Sequence, residues 1–470
     1  GSRAILAQVQ QVEHRLPRRR RLLQPFPWPF PFMSSRRRLG VVARQVVAPS
    51  LGDPSALCRA APSACGAKPP KKIWYAPNRF EAYGEEEIQA VEQCLRDGWL
   101  APGPRTEEFE ARVAEYFGKK FGVMVNSGSS GNMIGLAVLG LKAGDEVVTP
   151  ACTFATAVAP IVQLGLTPVF CDVEPGRYVP SVDMVLAAIT PKTKCVLVPN
   201  LAGSKIDWAE LRARVPRGIW LFEDSCDTMT FTADSDISVI SFYASHIITA
   251  GGLGGVVMFN ESRLKDRALM FRDWGRIGNN TEDMSERFGH TIDGIEYDFK
   301  FLYGCLGYNM KACEMCAAFG LAQLSKLDKF TAIRRRNISR YMQNLSGAGT
   351  SYVLPSRHEE FDWLAFPLLH HDRKGVLNFL ESNDVQTRVF FAGNITRHPA
   401  YRQYLQPFPG SDQVMKEAFL LGAHHGLELE DVDRVCELLI RFDREHATEG
   451  SQQVPRPPPA PGGDYATLDL

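Results

Sequence analysis

His246 is the side chain in this sequence with the most direct chemical implication. It lies in the segment Ser241–Gly255, which ends in a run of glycines interrupted by Leu253. An imidazole can accept and donate a proton, but it cannot form the imine that a lysine amine forms with a carbonyl group. No lysine occurs from Ile206 to Leu264. The segment therefore indicates proton transfer rather than covalent attachment of a carbonyl compound.

A stretch of small residues, Asn126–Asn132, has the composition of an anion-binding loop. It follows a predicted strand and precedes a predicted helix over 133–141. Backbone amides at the N-terminus of a helix, together with small hydroxyl residues, bind anions such as phosphate. Taken alone, the stretch is better explained by a serine that caps the helix.

Two further candidates stand where predicted strands end. Asp224 closes the strand that begins at Trp220, and Phe154 follows the strand that begins at Glu146. An aspartate in this position often caps the next helix, and a phenylalanine is more often a core residue than a ligand contact. Residue type alone therefore leaves a structural role open for both.

The order of these motifs resembles the DegT/DnrJ/EryC1/StrS family of sugar aminotransferases, which are fold-type I pyridoxal-phosphate (PLP) enzymes. The resemblance extends over residues 73–445 and includes the blocks Phe271–Arg276 and Leu306–Lys311. In most of that family the position of His246 is the lysine that holds PLP as a Schiff base. Two subgroups, both nucleotide-sugar 3-dehydratases, carry histidine there, and this chain looks closest to them.

The resemblance implies roles for individual residues around the cofactor. His246 becomes the catalytic residue, Asp224 pairs with the pyridinium nitrogen of the cofactor, and Phe154 stacks on its ring. Asp227 also belongs to the implied cofactor site; it stands where aminotransferases usually have glutamine and where the deoxysugar dehydrases have aspartate. The residues implied to line the phosphate site are Gly128, Ser129, Ser130 and Ser241.

The resemblance also implies partners. Asn309 matches a residue that reaches the cofactor phosphate of the neighbouring subunit, which implies a homodimer with shared active sites. Arg388 or Arg397 could bind a nucleotide diphosphate or the carboxylate of glutamate. An ordinary surface arginine is the alternative for both. The expected small-molecule partners are a nucleotide-diphosphate sugar and glutamate.

The implied reaction is dehydration at C3 of a nucleotide-linked 4-keto-6-deoxyhexose, with pyridoxamine phosphate (PMP) or PLP as the cofactor, in deoxysugar biosynthesis. Three alternatives stay open. They are an aminotransferase that recruits a lysine from elsewhere, a noncatalytic homologue that binds sugar nucleotides, and a reductive dehydrase with an external electron donor. The glycine run supports the noncatalytic alternative, because it has one residue more than the family's usual Gly-Glu-Gly-Gly and lacks its acid.

The cysteines give little support to a metal centre. One of the two histidine subgroups carries a [2Fe–2S] cluster on four cysteines; Cys226 matches one, but Ile277–Asn280 stands where others are expected. A four-ligand cluster is therefore not predicted, nor is any other metal site. Eleven scattered cysteines indicate reduced thiols in an intracellular compartment. The spacing of Cys313 and Cys316 suggests metal or redox chemistry, but the predicted helix over 310–324 favours buried thiols.

These residues need an α/β scaffold to bring them together. Short apolar runs alternate with helical stretches from Ile73 onward, which predicts a three-layer αβα fold with a mostly parallel sheet. We predict a large cofactor-binding domain over 73–330 and a smaller C-terminal α+β domain over 331–447. Residues 1–72 form a basic segment, and 448–470 a proline-rich tail that we expect to be disordered.

Charge is unevenly distributed along the chain, although the formal net charge is zero. Residues 1–72 hold 14 lysines and arginines and two acids, so the remainder is acidic, which argues against nucleic-acid binding. The basic segment resembles an organelle transit peptide, with a disordered basic tail as the alternative. The prediction is an intracellular protein, cytoplasmic or, with a transit peptide, in a plastid or mitochondrion. No apolar run approaches the roughly 18 residues of a membrane span.

Overall fold

The computed structural model describes residues 71–77, 79–277 and 283–446. The predictions for the basic segment 1–72, apart from its last two residues, and for the tail 448–470 concern residues outside this part. The same holds for Gly278, Asn279 and Asn280.

A seven-stranded sheet forms the centre of the fold. Alternate side chains of one strand enter different cores, with Val123 and Val125 on one face and Met124 on the other. Both faces are therefore covered, which explains why the strands are nearly continuous apolar runs. The strands are β1 (Phe121–Val125), β2 (Glu146–Pro150), β3 (Thr167–Cys171), β4 (Thr193–Pro199), β5 (Trp220–Asp224), β6 (Ile237–Ser241) and β7 (Gly255–Phe259).

The strand order is β1-β7-β6-β5-β4-β2-β3. Within this sheet β7 runs antiparallel to both of its neighbours, and the other pairs are parallel. Ser241 at the end of β6 is paired with Gly255 at the start of β7. The connection between these two residues carries His246, so the histidine lies beyond the carboxyl ends of the parallel strands.

Helices account for most of the remaining regular secondary structure in the described part of the chain. Before the C-terminal sheet they are α1 (Arg79–Ala82), α2 (Glu85–Asp97), α3 (Pro104–Tyr116), α4 (Gly128–Ala137), α5 (Ala155–Gln163), α6 (Val182–Ala187), α7 (Trp208–Arg214), α8 (Ser262–Arg272), α9 (Met284–Arg287), α10 (Glu314–Leu324) and α11 (Leu327–Leu345). The predicted start of α4 at residue 133 is wrong. The helix begins at Gly128, because the Ser127 hydroxyl accepts a hydrogen bond from the Ser130 amide and caps it.

The C-terminal part has its own sheet, and its apolar residues share one core with earlier residues such as Val173 and Leu201. The strands β10 (Phe366–Leu369), β11 (Thr387–Val389) and β12 (Ala418–Leu421) form an antiparallel sheet in the order β10-β12-β11. The helices beside it are α12 (Arg373–Ser382), α13 (Pro409–Glu417) and α14 (Leu429–His446). Its core contains Trp363 and Tyr341, whose ring stacks on Phe366 with centroids 4.4 Å apart. The predicted α/β architecture with a smaller C-terminal α+β part is thus confirmed, whereas the boundary at residue 330 stays a prediction.

Several apolar side chains of the single chain face solvent. The apolar side of helix α2 carries Ile88 and Leu95, and both are about half exposed. The short hairpin of β8 (His290–Ile292) and β9 (Ile295–Tyr297) exposes further apolar residues, and Leu306 nearby is 95% exposed. The apolar stripe of α2 is therefore wider than the surface that the described chain itself covers.

Candidate active site

A cavity of about 530 Å³ opens at the carboxyl ends of the parallel strands. This is the edge where open α/β sheets usually bind ligands, because the connecting loops diverge there. Eight of the predicted site residues line the cavity: His246, Gly128, Ser129, Phe154, Asp224, Asp227, Ser241 and Arg388. These residues come from positions far apart in the sequence, so the fold assembles them.

The anion-binding loop forms one wall. Ser127, Gly128 and Ser129 line the cavity, so α4 directs its N-terminus toward it. The positive end of a helix of this length favours a bound anion. At Gly128 a Cβ atom would lie 2.5 Å from Cys226 Sγ and 2.7 Å from Ser241 Cβ. Glycine is therefore required where the loop packs against the ends of β5 and β6.

The two serines of the first turn differ in their surroundings. The Ser129 hydroxyl donates a hydrogen bond to Thr156 Oγ1 at 2.8 Å and lies at the cavity wall. The Ser130 hydroxyl donates to Asn126 Oδ1 at 2.6 Å, within the loop itself, and does not line the cavity. The structure therefore brings Ser129, but not the Ser130 side chain, to the site.

Asp224 lies on the cavity floor at the end of β5 and is 5% exposed. Its carboxylate accepts hydrogen bonds from Asn132 Nδ2 at 2.8 Å and from the Cys226 amide at 3.2 Å. Burial raises the pKa of Asp224 above its usual value, although these hydrogen bonds oppose the shift. A cationic group placed against this carboxylate would restore its ionised form.

His246 and Asp227 form a second polar group at the cavity. The Nδ1 atom of His246 lies 3.0 Å from the Ser241 carbonyl oxygen, which assigns the proton to Nδ1 and leaves Nε2 as the acceptor. That Nε2 atom lies 4.0 Å from Asp227 Oδ1, and Asp227 Oδ2 accepts the Ala202 amide at 2.8 Å. The pair therefore has one unprotonated nitrogen and one carboxyl oxygen facing each other.

Burial favours the neutral form of both groups. It lowers the pKa of His246 to about 4, and the nearby Arg334 guanidinium contributes to this shift. Burial also raises the pKa of Asp227 to about 7, and the Asp224 carboxylate adds to the effect. A histidine that stays neutral at physiological pH is available as a base.

Phe154 is not a core residue, the alternative that its sequence position left open. Its side chain is 52% exposed at the cavity, and its ring contacts Phe391 edge to face with centroids 6.5 Å apart. An exposed ring above a buried carboxylate can stack on a planar ligand.

The two candidate arginines are placed differently. Arg388 lines the cavity, with its guanidinium 5.4 Å from the centroid of the Tyr75 ring. Arg397 lies outside the cavity and forms an ion pair with Asp412 through two guanidinium nitrogens. Asn309 is likewise outside the cavity and pairs with Asp273 in an isolated bridge. The predicted contact of Asn309 is with another subunit, and a single chain does not test it.

Tyr75 and Leu253 are site residues that the sequence did not reveal. Tyr75 comes from the chain before α1, and its amide donates to Gln386 Oε1 at 3.2 Å. Its contact with the site spans more than 300 positions, and no local pattern signals it. Leu253 lines the cavity from the glycine run, so this run contributes directly to the cavity wall.

No lysine is among the described residues that line this cavity. Lys205 donates hydrogen bonds to Thr230 and Thr232, and Lys119 donates to the Thr232 and Ser235 carbonyl groups. Within the described part of the chain, no group of three or more His, Cys, Asp or Glu residues is arranged to hold a metal ion. No helix in that part is long and apolar enough to cross a membrane.

The fold and the site together define a class of protein, and comparison with known proteins identifies the family. The DegT/DnrJ/EryC1/StrS aminotransferase family matches residues 81–440. The chain belongs to this family, and the predicted recognition is confirmed.

Comparison with individual relatives and solved structures adds to the family match. The lipopolysaccharide biosynthesis protein RfbH of Salmonella typhimurium is 33% identical over 399 residues, which cover 78% of this chain and 91% of RfbH. The dTDP-4-dehydro-2,6-dideoxy-D-glucose 3-dehydratase of Saccharopolyspora spinosa is 33% identical over 394 residues, 76% of this chain and 84% of that protein. The Escherichia coli GDP-4-keto-6-deoxy-D-mannose-3-dehydratase, solved with bound hydrated PLP, has a TM-score of 0.70 at 24% identity, covering 78% of this chain and 99% of that one. This last likeness supports the fold.

Proposed function

We propose that this protein is a PLP/PMP-dependent enzyme that removes water at C3 of a nucleotide-linked 4-keto-6-deoxyhexose. One observation carries the proposal. His246, which the motif resemblance matches to the family's lysine, lines the cavity with an unprotonated Nε2, and no lysine is among the described lining residues. Two relatives, at 33% and 29% identity, are nucleotide-sugar 3-dehydratases.

The residues present fit a phosphorylated pyridine cofactor. The N-terminus of α4 with Ser129 would hold the phosphate group, and Asp224 would pair with the ring nitrogen. Phe154 would stack on the ring, since its side chain is half exposed at the cavity and stands at the position that the family resemblance assigns to the stacking residue. When bound, the cofactor supplies an amine that condenses with the sugar ketone and a ring that accepts electrons.

His246 and Asp227 would move the proton. As a neutral base, His246 accepts a proton at Nε2 and becomes a cation 4.0 Å from Asp227. An ionised Asp227 stabilises that cation, so the pair is most effective above the Asp227 pKa of about 7. Protonated His246 then donates the proton to the departing 3-hydroxyl group, which leaves as water.

The substrate would lie toward Arg388 and Tyr75. Arg388 is the cavity-lining arginine that can pair with a diphosphate or with the carboxylate of glutamate. We propose glutamate as the amino donor that restores PMP. The apolar residues Leu253 and Phe391 line the remaining wall and suit a deoxy sugar better than a fully hydroxylated one.

We also propose that two chains form a homodimer with shared sites. The exposed apolar residues of α2 and of the β8–β9 region are more than a solvated surface needs. Asn309 lies near that region, three residues after the 95% exposed Leu306, and would reach the partner's site.

Borohydride reduction tests the proposal. The full-length protein is incubated with PLP, reduced with borohydride, and analysed for intact mass and for total bound cofactor in the same sample. Cofactor bound without a covalent adduct supports a histidine-based site. The variant His246→Lys is the positive control and should acquire one adduct. An adduct on a lysine of the unmodified sequence would indicate an aminotransferase, and no binding in either form would indicate a noncatalytic homologue.

A further inference from the structure

The first turn of α10 contains a pair of thiols that the proposed reaction does not use. The Sγ atoms of Cys313 and Cys316 lie 3.3 Å apart. Cys313 is the N-cap of the helix and is partly exposed, whereas Cys316 is 8% exposed. The sequence interpretation of both as buried thiols therefore holds for Cys316 alone. The predicted helix start at residue 310 is also wrong, since α10 begins at Glu314.

We propose that Cys313 and Cys316 are a redox modification site, which forms an intramolecular disulfide that alters the active-site loops. The two sulfur atoms need to approach by only about 1.3 Å to reach the bond length of a disulfide, about 2.0 Å. Other thiols in the described part are less suited. Cys195 and Cys436, for example, are fully buried in two different cores.

The oxidation is a thiol–disulfide exchange with a low-molecular-weight disulfide such as oxidised glutathione. The Cys313 thiolate attacks one sulfur of the reagent, which forms a mixed disulfide and releases one thiolate. The Cys316 sulfur, after losing its proton, attacks Cys313 Sγ and releases the second thiolate. Two protein thiols thus lose two electrons and two protons, and one reagent disulfide becomes two thiols. Cys313 reacts first because it is partly exposed, whereas Cys316 is buried. Burial raises the pKa of Cys316 to about 12, so it is the weaker nucleophile at neutral pH.

The residues just before Cys313 connect the cysteine pair to the anion-binding loop. Three residues before Cys313, the Met310 carbonyl oxygen accepts the Asn126 amide at 2.9 Å. Asn126 in turn accepts the Ser130 hydroxyl that orders the first turn of α4. A backbone movement at Cys313 that accompanies disulfide closure would be transmitted to the loop by this hydrogen bond.

A second connection leads to the His246 loop. Cys316 packs in the same apolar core as Ile247 and Ile248, which directly follow His246. Further along α10, Gln323 Oε1 accepts the Thr249 amide at 3.4 Å. A shift of the first turn of α10 therefore reaches both ends of the cavity.

A third contact gives a readout that does not depend on the active site. Glu314, next to Cys313, accepts hydrogen bonds from the backbone amides of Gly103, Arg105 and Thr106 and so caps α3. Loss of this cap lowers stability, because capping interactions typically contribute about 1 kcal/mol. Oxidation should therefore lower the thermal midpoint even in protein without cofactor.

The test uses the full-length protein in glutathione buffers of increasing oxidised fraction, followed by alkylation and peptide mass analysis. We expect a Cys313–Cys316 disulfide, a lower thermal midpoint, and a several-fold loss of retained PLP, all reversed by dithiothreitol. The variants Cys313→Ser and Cys316→Ser should lack all three effects, and serine at the N-cap keeps the helix capped. Cys305→Ser, at another partly exposed cysteine, is the matched control and should behave like the unmodified protein.

Two results would overturn the proposal. One is that both thiols stay alkylatable, or carry only glutathione, in the most oxidising buffer. The other is a disulfide that leaves the thermal midpoint and PLP retention unchanged. The thiol mapping and the thermal midpoint without cofactor do not require the proposed dehydration, so failure of that function would leave this test intact.

Discussion

The two carboxylates at the cavity, Asp224 and Asp227, are three residues apart and both buried, but they serve different ends of it. Asp224 accepts two hydrogen bonds, from Asn132 and from the Cys226 amide. Asp227 accepts one from Ala202, and its other oxygen faces His246 at 4.0 Å. Asp224 is thus a fixed anion site on the floor, whereas Asp227 can change its protonation together with the histidine. Burial alone does not assign a role; the groups that face each oxygen do.

The largest expected effect comes from the proton-transfer end. In His246→Asn the base is lost, so we expect dehydration to fall by about 10²–10⁴-fold, with cofactor binding retained. Steady-state rates and bound cofactor are measured on the same preparation. The control is His358→Asn, a histidine away from the cavity that should keep full activity. If the variant lost bound cofactor together with activity, His246 would be needed for cofactor binding rather than for proton transfer.

The two arginines provide the next contrast. In Arg388→Met we expect the KM for the sugar nucleotide or for glutamate to rise by about 10–100-fold, the equivalent of one lost charge-assisted hydrogen bond. Arg397→Met is the matched variant, and its KM values should change little, because Arg397 pairs with Asp412 outside the cavity. An equal rise in both variants would contradict the distinction between them.

The pH dependence separates the two carboxylates. With Asp227 ionising at about pH 7, activity should increase as pH rises through that value, because the carboxylate form stabilises protonated His246. Asp227→Asn should remove this rise of activity with pH. It should also lower the activity reached at high pH by about tenfold, which corresponds to about 1.4 kcal/mol. Asp224→Asn should lower activity at every pH but keep the pH dependence, with a lower midpoint because the Asp224 carboxylate helps to raise the pKa of Asp227. A midpoint that persists in Asp227→Asn would assign the titration to another group.

The last prediction concerns the stability of the folded chain at low pH. It depends on His424, which contacts the segment that brings Tyr75 to the cavity. His424 Nε2 donates to the Trp74 carbonyl oxygen and its Nδ1 accepts the Gly426 amide, so the ring is neutral. Burial lowers the pKa of His424 to about 3, below the ordinary 6.5. The unfolded chain therefore binds more protons below pH 6.5, and stability present above that pH is lost as pH falls. The expected loss is up to about 1.4 kcal/mol per pH unit.

Thermal midpoints between pH 7.5 and 5, followed for the unmodified protein and for His424→Gln, measure this loss. Glutamine keeps a donor and an acceptor but does not titrate, so its midpoint should depend less on pH. Identical slopes would show that other groups dominate the acid sensitivity.

Much of the scaffold was predictable from local patterns. The strands of the main sheet are continuous apolar runs, and β5 and β6 end at the residues Asp224 and Ser241 chosen as site residues. The start of α4 was not predictable, since a run of glycines and serines has weak helix propensity and is helical here because Ser127 caps it.

The remaining site features depend on contacts between distant residues. Tyr75 and Arg388 lie more than 300 positions apart in the sequence and meet through the tertiary fold. The difference between Arg388 and Arg397 rests on a single partner, Asp412, that no spacing rule connects to either. The apolar face of α2 gives the correct helix but does not reveal how much of it this chain buries.

Product analysis tests the central claim most directly. The full-length protein, loaded with PMP, is incubated with a nucleotide-linked 4-keto-6-deoxyhexose, and the sugar product is analysed by mass spectrometry with an ammonia assay alongside. The account predicts a sugar lighter by one oxygen atom, release of ammonia, and neither in His246→Asn. A product that carries an amine in place of the ketone, without ammonia, would show amino transfer and contradict the role assigned to His246.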